Sequence, residues 1–211
     1  MFDFDEIAKS LIQGDVSRAA DLTKAGLEAR IPAIEILNKG LMAGMKIVGE
    51  RFRSGEFYLP EILLAGEAMK AGMAVLKPTW QKGGAPIRGK VAIGTVEGDV
   101  HDIGKNLVIM MLEGNGWGMT DIGVDVPAEK FCSVVKEMDP DILGMSALLT
   151  TTIPRLKEVI DALKVAGLRN KVKVMVGGVA VTQGYADEIG ADSYAPNAVE
   201  AVDKAALLLK Q

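Results

Sequence analysis

Beyond residue 90 the chain alternates short β-branched runs with helical stripes five times over, and that alternation limits the fold more than any other feature. The strand-like runs are 91–96, 119–122, 142–146, 172–176 and a short piece near 192–194. The helical stretches are 103–115, 128–138, 153–165, 182–189 and 198–209. Strands separated by helices do not pair as hairpins; they form a parallel sheet covered on both faces. A five-stranded α/β domain is therefore expected over 90–211.

The first 82 residues follow a different period. Ile34, Leu37, Leu41, Met45, Val48 and Phe52 recur at steps of three and four, as do Leu59, Ile62, Met69, Met73 and Leu76 further on. Phe4, Ile7 and Leu11 form a shorter stripe behind Asp3 and Glu6, which read as a helix start. Gly14 and Asp15 separate it from a weakly amphipathic run over 16–29. Pro32 sits where a third helix should begin, and Ser54, Gly55 and Pro60 bracket the turn before a fourth. Four helices joined by short loops imply a small bundle. Gly83-Gly84-Ala85-Pro86 then divides the chain into a helical domain (1–82), a linker (83–89) and the α/β domain (90–211).

Composition excludes several partners. The net charge is -4 and no basic stripe is visible, so nucleic acid is not expected. Cys132 stands alone, which rules out an internal disulfide and fits a reducing cytosol. The acidic start is unlike a signal peptide, and no apolar run is long enough to span a bilayer. A cytoplasmic protein with no membrane partner is expected.

Ligands of an open parallel sheet bind beyond the carboxyl ends of its strands, near the point where strand order reverses. Three unusual segments fall at such ends. The loop 98–106 follows the first strand and holds the single histidine, His101, two residues after Asp99. Such a carboxylate fixes the ring tautomer and raises its basicity as a ligand. The run Ser146 to Thr152 follows the third strand, and Gly177-Gly178 follows the fourth. In a flavodoxin-like order the first and third strands are neighbours, so His101 and the hydroxyl run would face one crevice. Each feature also has an ordinary reading. A lone histidine is commonly a surface or satisfied core group, a Ser/Thr run caps the next helix, and paired glycines make a turn. Their joint placement at one edge of one sheet favours a site.

Asp99-x-His101-x-x-Gly104, Ser146-x-Leu148 and Gly177-Gly178, in this order, resemble the cobalamin-binding module of methionine synthase. They are still more similar to the small corrinoid proteins of bacterial and archaeal methyltransferase systems. The resemblance extends over almost the whole chain, through Gly49-Glu50-Arg51-Phe52 and Tyr58-Leu59-Pro60-Glu61 of the helical segment. It implies a four-helix cap before a flavodoxin-like domain, with cobalamin or a related corrinoid as cofactor. It further implies that His101 binds cobalt from the lower face, in place of the dimethylbenzimidazole base. The nucleotide tail would enter a slot toward Gly177 and Gly178, with Ser146 and Thr150 as its contacts and Gly104 leaving it room. Asp102, Ile103 and Leu148 would also contact the cofactor. Asp99 would accept the second imidazole N–H, with a hydroxyl behind it; methionine synthase uses serine there, whereas spacing puts Thr152 there in this chain. Phe52, Leu59, Ile62 and Leu63 would cover the upper face, although the same residues also fit a bundle core.

The resemblance also implies a function. Cobalt would shuttle a methyl group by cycling between Co(I) and methyl-Co(III). No second histidine, cysteine cluster or folate pocket is evident in the sequence, so the chain reads as a non-catalytic carrier. Its expected partners are a substrate:corrinoid methyltransferase, a methylcorrinoid:tetrahydrofolate or thiol methyltransferase, and a reductive activating protein. The 83–86 segment would be the hinge that lets the cap move. Methoxylated aromatics or another small methylated compound are the expected donors. Alternatives are a cobalamin-dependent sensor, the binding subunit of an adenosylcobalamin mutase, and a flavin- or phosphoacceptor-type flavodoxin fold.

Overall fold

In this computed structural model residues 2–80 and 87–210 are described. They divide into two compact units, Met1–Ile87 with Gly114–Gly116, and Arg88–Glu113 with Trp117–Gln211. Residues 83–86 of the expected linker and hinge lie outside the described residues.

The first unit is helical. Helix α1 (Phe4–Ile12) starts at Asp3, whose carboxylate accepts the Asp5 N–H. Helix α2 (Val16–Glu28) is capped in the same manner by Asp15, which accepts from Arg18; both caps satisfy donors that a helix start leaves open. A third run begins after Pro32 as α3 (Ala33–Glu35), passes through a π turn (Ile36–Leu41) and continues as α4 (Met42–Arg53). Helix α5 (Leu59–Leu76) completes the four-helix arrangement expected from the periodicity. The π turn was not expected. Gly40 within it and Gly44 just after it let α1 come close, since a Cβ there would meet Ile7 at 3.0 Å and Ala8 O at 2.9 Å. Leu37, Leu41, Met45, Val48, Ile62, Met69 and Leu76 are buried as the stripes require, whereas Ile34 and Leu59 at the stripe ends are exposed.

The second unit is the expected parallel sheet. Strand β1 (Lys90–Val96) is followed by α6 (Ile103–Gly114), and β2 (Gly118–Val126) by α7 (Ala128–Met138). Next come β3 (Ile142–Ser146), α8 (Ile153–Val165), β4 (Lys173–Gly177), α9 (Gln183–Ile189), β5 (Ser193–Ala195) and α10 (Ala198–Leu208). The order β2-β1-β3-β4-β5 makes β1 and β3 neighbours, with Thr95 opposite Ser146 and Ser146 opposite Gly177. Alternate residues supply the two faces. Ala92, Leu143, Val174 and Val176 pack with Phe131 of α7, Leu156 and Ile160 of α8 and Ile189 of α9. Val91, Ile142 and Met175 pack with Leu112 of α6 and with Ala201, Ala205 and Leu208 of α10.

Strand β2 is longer than the expected 119–122. Its register against β1 slips twice, Ile93 facing Asp121, Gly94 facing Gly123 and Val96 facing Val126. Gly123 and Asp125 have φ of +104° and +53°. A glycine and an aspartate in left-handed conformations break the strand-like pattern, which hid this half of the strand.

No helix among the described residues is long and apolar enough to cross a membrane. Phe131 is fully buried, and Gly94 of β1 accommodates its ring, which would stand 3.1 Å from an added Cβ. Phe131→Ala should therefore cost about 3–5 kcal/mol of stability in urea denaturation, and a loss below about 1 kcal/mol would contradict this packing.

Candidate functional site

The loops after β1 and β3 meet at the carboxylate of Asp99, which is fully buried. Oδ1 accepts the His101 backbone N–H at 3.0 Å and lies 2.7 Å from His101 Nδ1. Oδ2 accepts the Leu148 N–H at 2.7 Å, the Thr152 hydroxyl at 2.8 Å and the Leu149 N–H at 3.4 Å. Burial alone would favour the neutral acid. The N–H groups of Leu148 and His101, the imidazole and the Thr152 hydroxyl outweigh it and hold this carboxyl well below the usual range. Asp99 is thus an anion at neutral pH.

That anion decides the histidine. An ionised acceptor beside Nδ1 selects the tautomer with its hydrogen on Nδ1, which leaves the lone pair on Nε2. The His101 side chain is 48% exposed, and no group among the described residues is bonded to Nε2. The loop itself is pinned, because the buried Thr95 hydroxyl donates to the His101 carbonyl at 3.0 Å. The start of α6 is tied back by Asn106, whose side-chain amide donates to Asp102 at 2.9 Å.

Asp99, His101 and Thr152 are therefore brought together. Thr152 occupies the N-cap position of α8 but makes no capping bond; its hydroxyl turns to Asp99 instead. For this residue the ordinary capping reading does not hold. Ser146 ends β3 half-buried, Leu148 is half-buried, and Thr150 is exposed. Ile103 is 69% exposed and Gly104 faces open space, with nothing within 4 Å of an added Cβ. Val100, Leu149 and Val179, on the loops after β1, β3 and β4, are also exposed.

Gly177 and Gly178 are required by the protein's own backbone. A Cβ on Gly178 would fall 1.9 Å from Ala147 O, and one on Gly177 would fall 2.9 Å from Ala195 O. The expectation that this pair serves ligand approach is thus not needed to explain it. Phe52, Leu59, Ile62 and Leu63 belong to the helical unit. Ile62 has no exposed surface and serves the core, Phe52 is partly exposed, and Leu59 and Leu63 are exposed.

Four contributors escaped the sequence reading. The Leu148 main-chain N–H carries no side-chain signal. Thr95, a hydroxyl in an otherwise apolar strand, was detectable. Lys105 is buried, with Nζ 2.6 Å from Asp121 and 2.9 Å from Asn106 Oδ1. Asp125 accepts the Gly98 N–H at 2.7 Å from the half of β2 that lies beyond the expected 119–122.

Because the Asp99 carboxyl lies below the ordinary range, its contribution is complete above that range and is lost as pH falls toward the folded value. Between pH 5 and pH 3 this protein should lose on the order of 1 kcal/mol more stability than Asp99→Asn, measured by urea denaturation. Parallel losses would show that the native carboxyl is not held ionised.

Comparison with known proteins gives the family. Residues 89–203 match the family described as "B12 binding domain", and residues 3–77 match a second family of the same description. The chain is 47% identical to the dimethylamine corrinoid protein of Methanosarcina barkeri over 97% of its own length and 98% of the relative's. A corrinoid protein of Desulfitobacterium hafniense is 41% identical, with 97% and 96% covered. The crystal structure of a cobalamin-binding protein from Desulfitobacterium hafniense superposes with a TM-score of 0.83 at 35% identity, covering 99% of both chains. A chain of the methanol:cobalamin methyltransferase complex of Methanosarcina barkeri gives 0.87 at 32% identity, covering 99% of this chain and 80% of that one. By sequence along nearly its whole length and by fold, this chain belongs to the B12-binding family of corrinoid proteins.

Proposed function

We propose that this protein carries a methyl group on a bound corrinoid between two methyltransferases, with His101 as the lower axial ligand. The observation that carries the reading is the half-exposed imidazole of His101 with its Nδ1 2.7 Å from the buried Asp99 carboxylate, a pairing that favours the lone pair on Nε2. The donor set fits such a cofactor. Among the described residues no cluster of three ligating side chains could hold a bare ion. One imidazole suffices for a metal that arrives with its own equatorial ring of ligands. The exposed apolar side chains of Val100, Ile103, Leu149 and Val179 suit a broad macrocycle, and the open space at Gly104 suits its tail.

When bound, the corrinoid supplies a cobalt centre that accepts a methyl group from one partner and yields it to another. The chain's own residues set how that centre is held. Asp99 keeps the Nδ1 hydrogen and makes Nε2 a stronger donor. Thr152 and the Leu148 N–H keep the carboxylate aligned toward the ring. In this reading Ser146 and Thr150 meet the nucleotide tail, with Asp102 and Leu148 beside it.

The relatives named for dimethylamine and trimethylamine, at 44–47% identity, support a methylated amine as the donor to test first. A substrate:corrinoid methyltransferase is thus the first partner. A tetrahydrofolate or thiol methyltransferase is the second, and an activating protein restores the reduced state.

Two outcomes test this. His101→Gly loaded with hydroxocobalamin should retain much of the corrinoid yet shift its absorption spectrum; an unchanged spectrum removes the ligand assignment. The reduced, loaded protein should take up one methyl equivalent per chain from dimethylamine with a dimethylamine methyltransferase. No uptake with the dimethylamine, trimethylamine or methanol enzymes would contradict the carrier reading.

A further inference from the structure

We propose that Asp125 is a positioning residue for the His101 loop, acting from the edge strand β2. The inference rests on His101 being the axial ligand. Asp125 holds consecutive loop residues with opposite polarity: its Oδ1 accepts the Gly98 N–H at 2.7 Å, and its own N–H donates to Asp99 O at 2.9 Å. It does so from a left-handed backbone with φ +53°, a conformation that aspartate tolerates better than most residues but that still carries strain. Gly98 is left-handed as well, with φ +79°.

The irregular end of β2 is what delivers this clamp. From Ile93 to Val96 β1 advances three residues, while its partners advance five, from Asp121 to Val126. The two additional residues lift β2 out of regular pairing and carry Asp125 to the loop. The base of the ligand loop is consequently held from two sides. Leu148 and Thr152 fix the Asp99 side chain from the β3 side, and Asp125 fixes the Gly98–Asp99 main chain from the β2 side. The imidazole hangs on Asp99, so main-chain movement there displaces Nε2 directly. Small displacements matter for a ligand bond, whose length and direction have narrow tolerance.

Two variants separate positioning from folding. Asp125→Gly keeps the left-handed backbone and its N–H but removes the carboxylate. Asp125→Asn keeps an oxygen acceptor and a residue type that accepts this backbone. Each is produced with 15N-labelled histidine, loaded with hydroxocobalamin, reduced by one electron and examined by electron paramagnetic resonance. Because His101 is the only histidine, a 15N doublet on the cobalt signal reports its coordination alone. The unsubstituted protein and Asp125→Asn should show the doublet. In Asp125→Gly the ratio of coordinated to uncoordinated ring should fall about tenfold, as the loss of one charge-assisted hydrogen bond predicts. A wild-type ratio in Asp125→Gly, or an equal loss in Asp125→Asn, would overturn the positioning role. Absence of the doublet from the unsubstituted protein would overturn the axial-ligand reading itself, and this inference with it.

Discussion

A buried anion organises this site. Asp99 has no exposed surface, yet five hydrogen-bond donors, three of them main-chain N–H groups, converge on its two oxygens. A buried carboxylate without such partners would neutralise, whereas one that is fully satisfied stays charged. The charge is then available to select a tautomer of the adjacent ring. The direction in which the imidazole presents its lone pair is settled by protein groups before any ligand arrives.

The fold explains why the donors can converge. In a sheet ordered β2-β1-β3-β4-β5, the first strand is flanked by β2 and β3, so the loop that follows it is reached from both sides. Leu148, Leu149 and Thr152 come from one flank and Asp125 from the other. Thr95, on β1 itself, adds a hydroxyl from within the strand. Close backbone approach at the ends of β3 and β4 leaves no volume for a side chain at Gly178, and the hydroxyl-bearing loop is seated there. The apolar side chains left exposed here, Val100, Leu149 and Val179 on the loops and Ile103 at the start of α6, are of the kind a ligand's flat face covers.

Legibility in the sequence followed the physics of each signal. The expected strand at 142–146 and the helices at 128–138 and 153–165 coincide with β3, α7 and α8, because uninterrupted apolar runs and strong amphipathic stripes define them. The second half of β2 was hidden, since Gly123 and Asp125 are poor strand formers that serve here through their left-handed backbones. The π turn at Ile36–Leu41 was hidden as well, because the apolar spacing there is still helical and a one-residue change in hydrogen-bond step leaves no clear mark on it. In the site, side-chain chemistry was readable: Asp99 stands two residues before His101, and the family resemblance implies the Thr152 hydroxyl behind it, 53 residues on in sequence and 2.8 Å away in space. Main-chain donors such as the Leu148 N–H are the same in every residue and cannot be read from composition. Gly177-Gly178 stands out in the sequence, but the close contact that demands it is with Ala147 and Ala195, which only the fold reveals.

The central claim is that Asp99 holds His101 as a single tautomer with Nε2 unprotonated and outward. Histidine-selective 15N NMR of the corrinoid-free protein at neutral pH tests it directly, since only one imidazole is present. The account predicts one ring species, protonated at Nδ1, with Nε2 at the shift of a bare imine nitrogen. A ring protonated at Nε2, or an even mixture of tautomers, would contradict it.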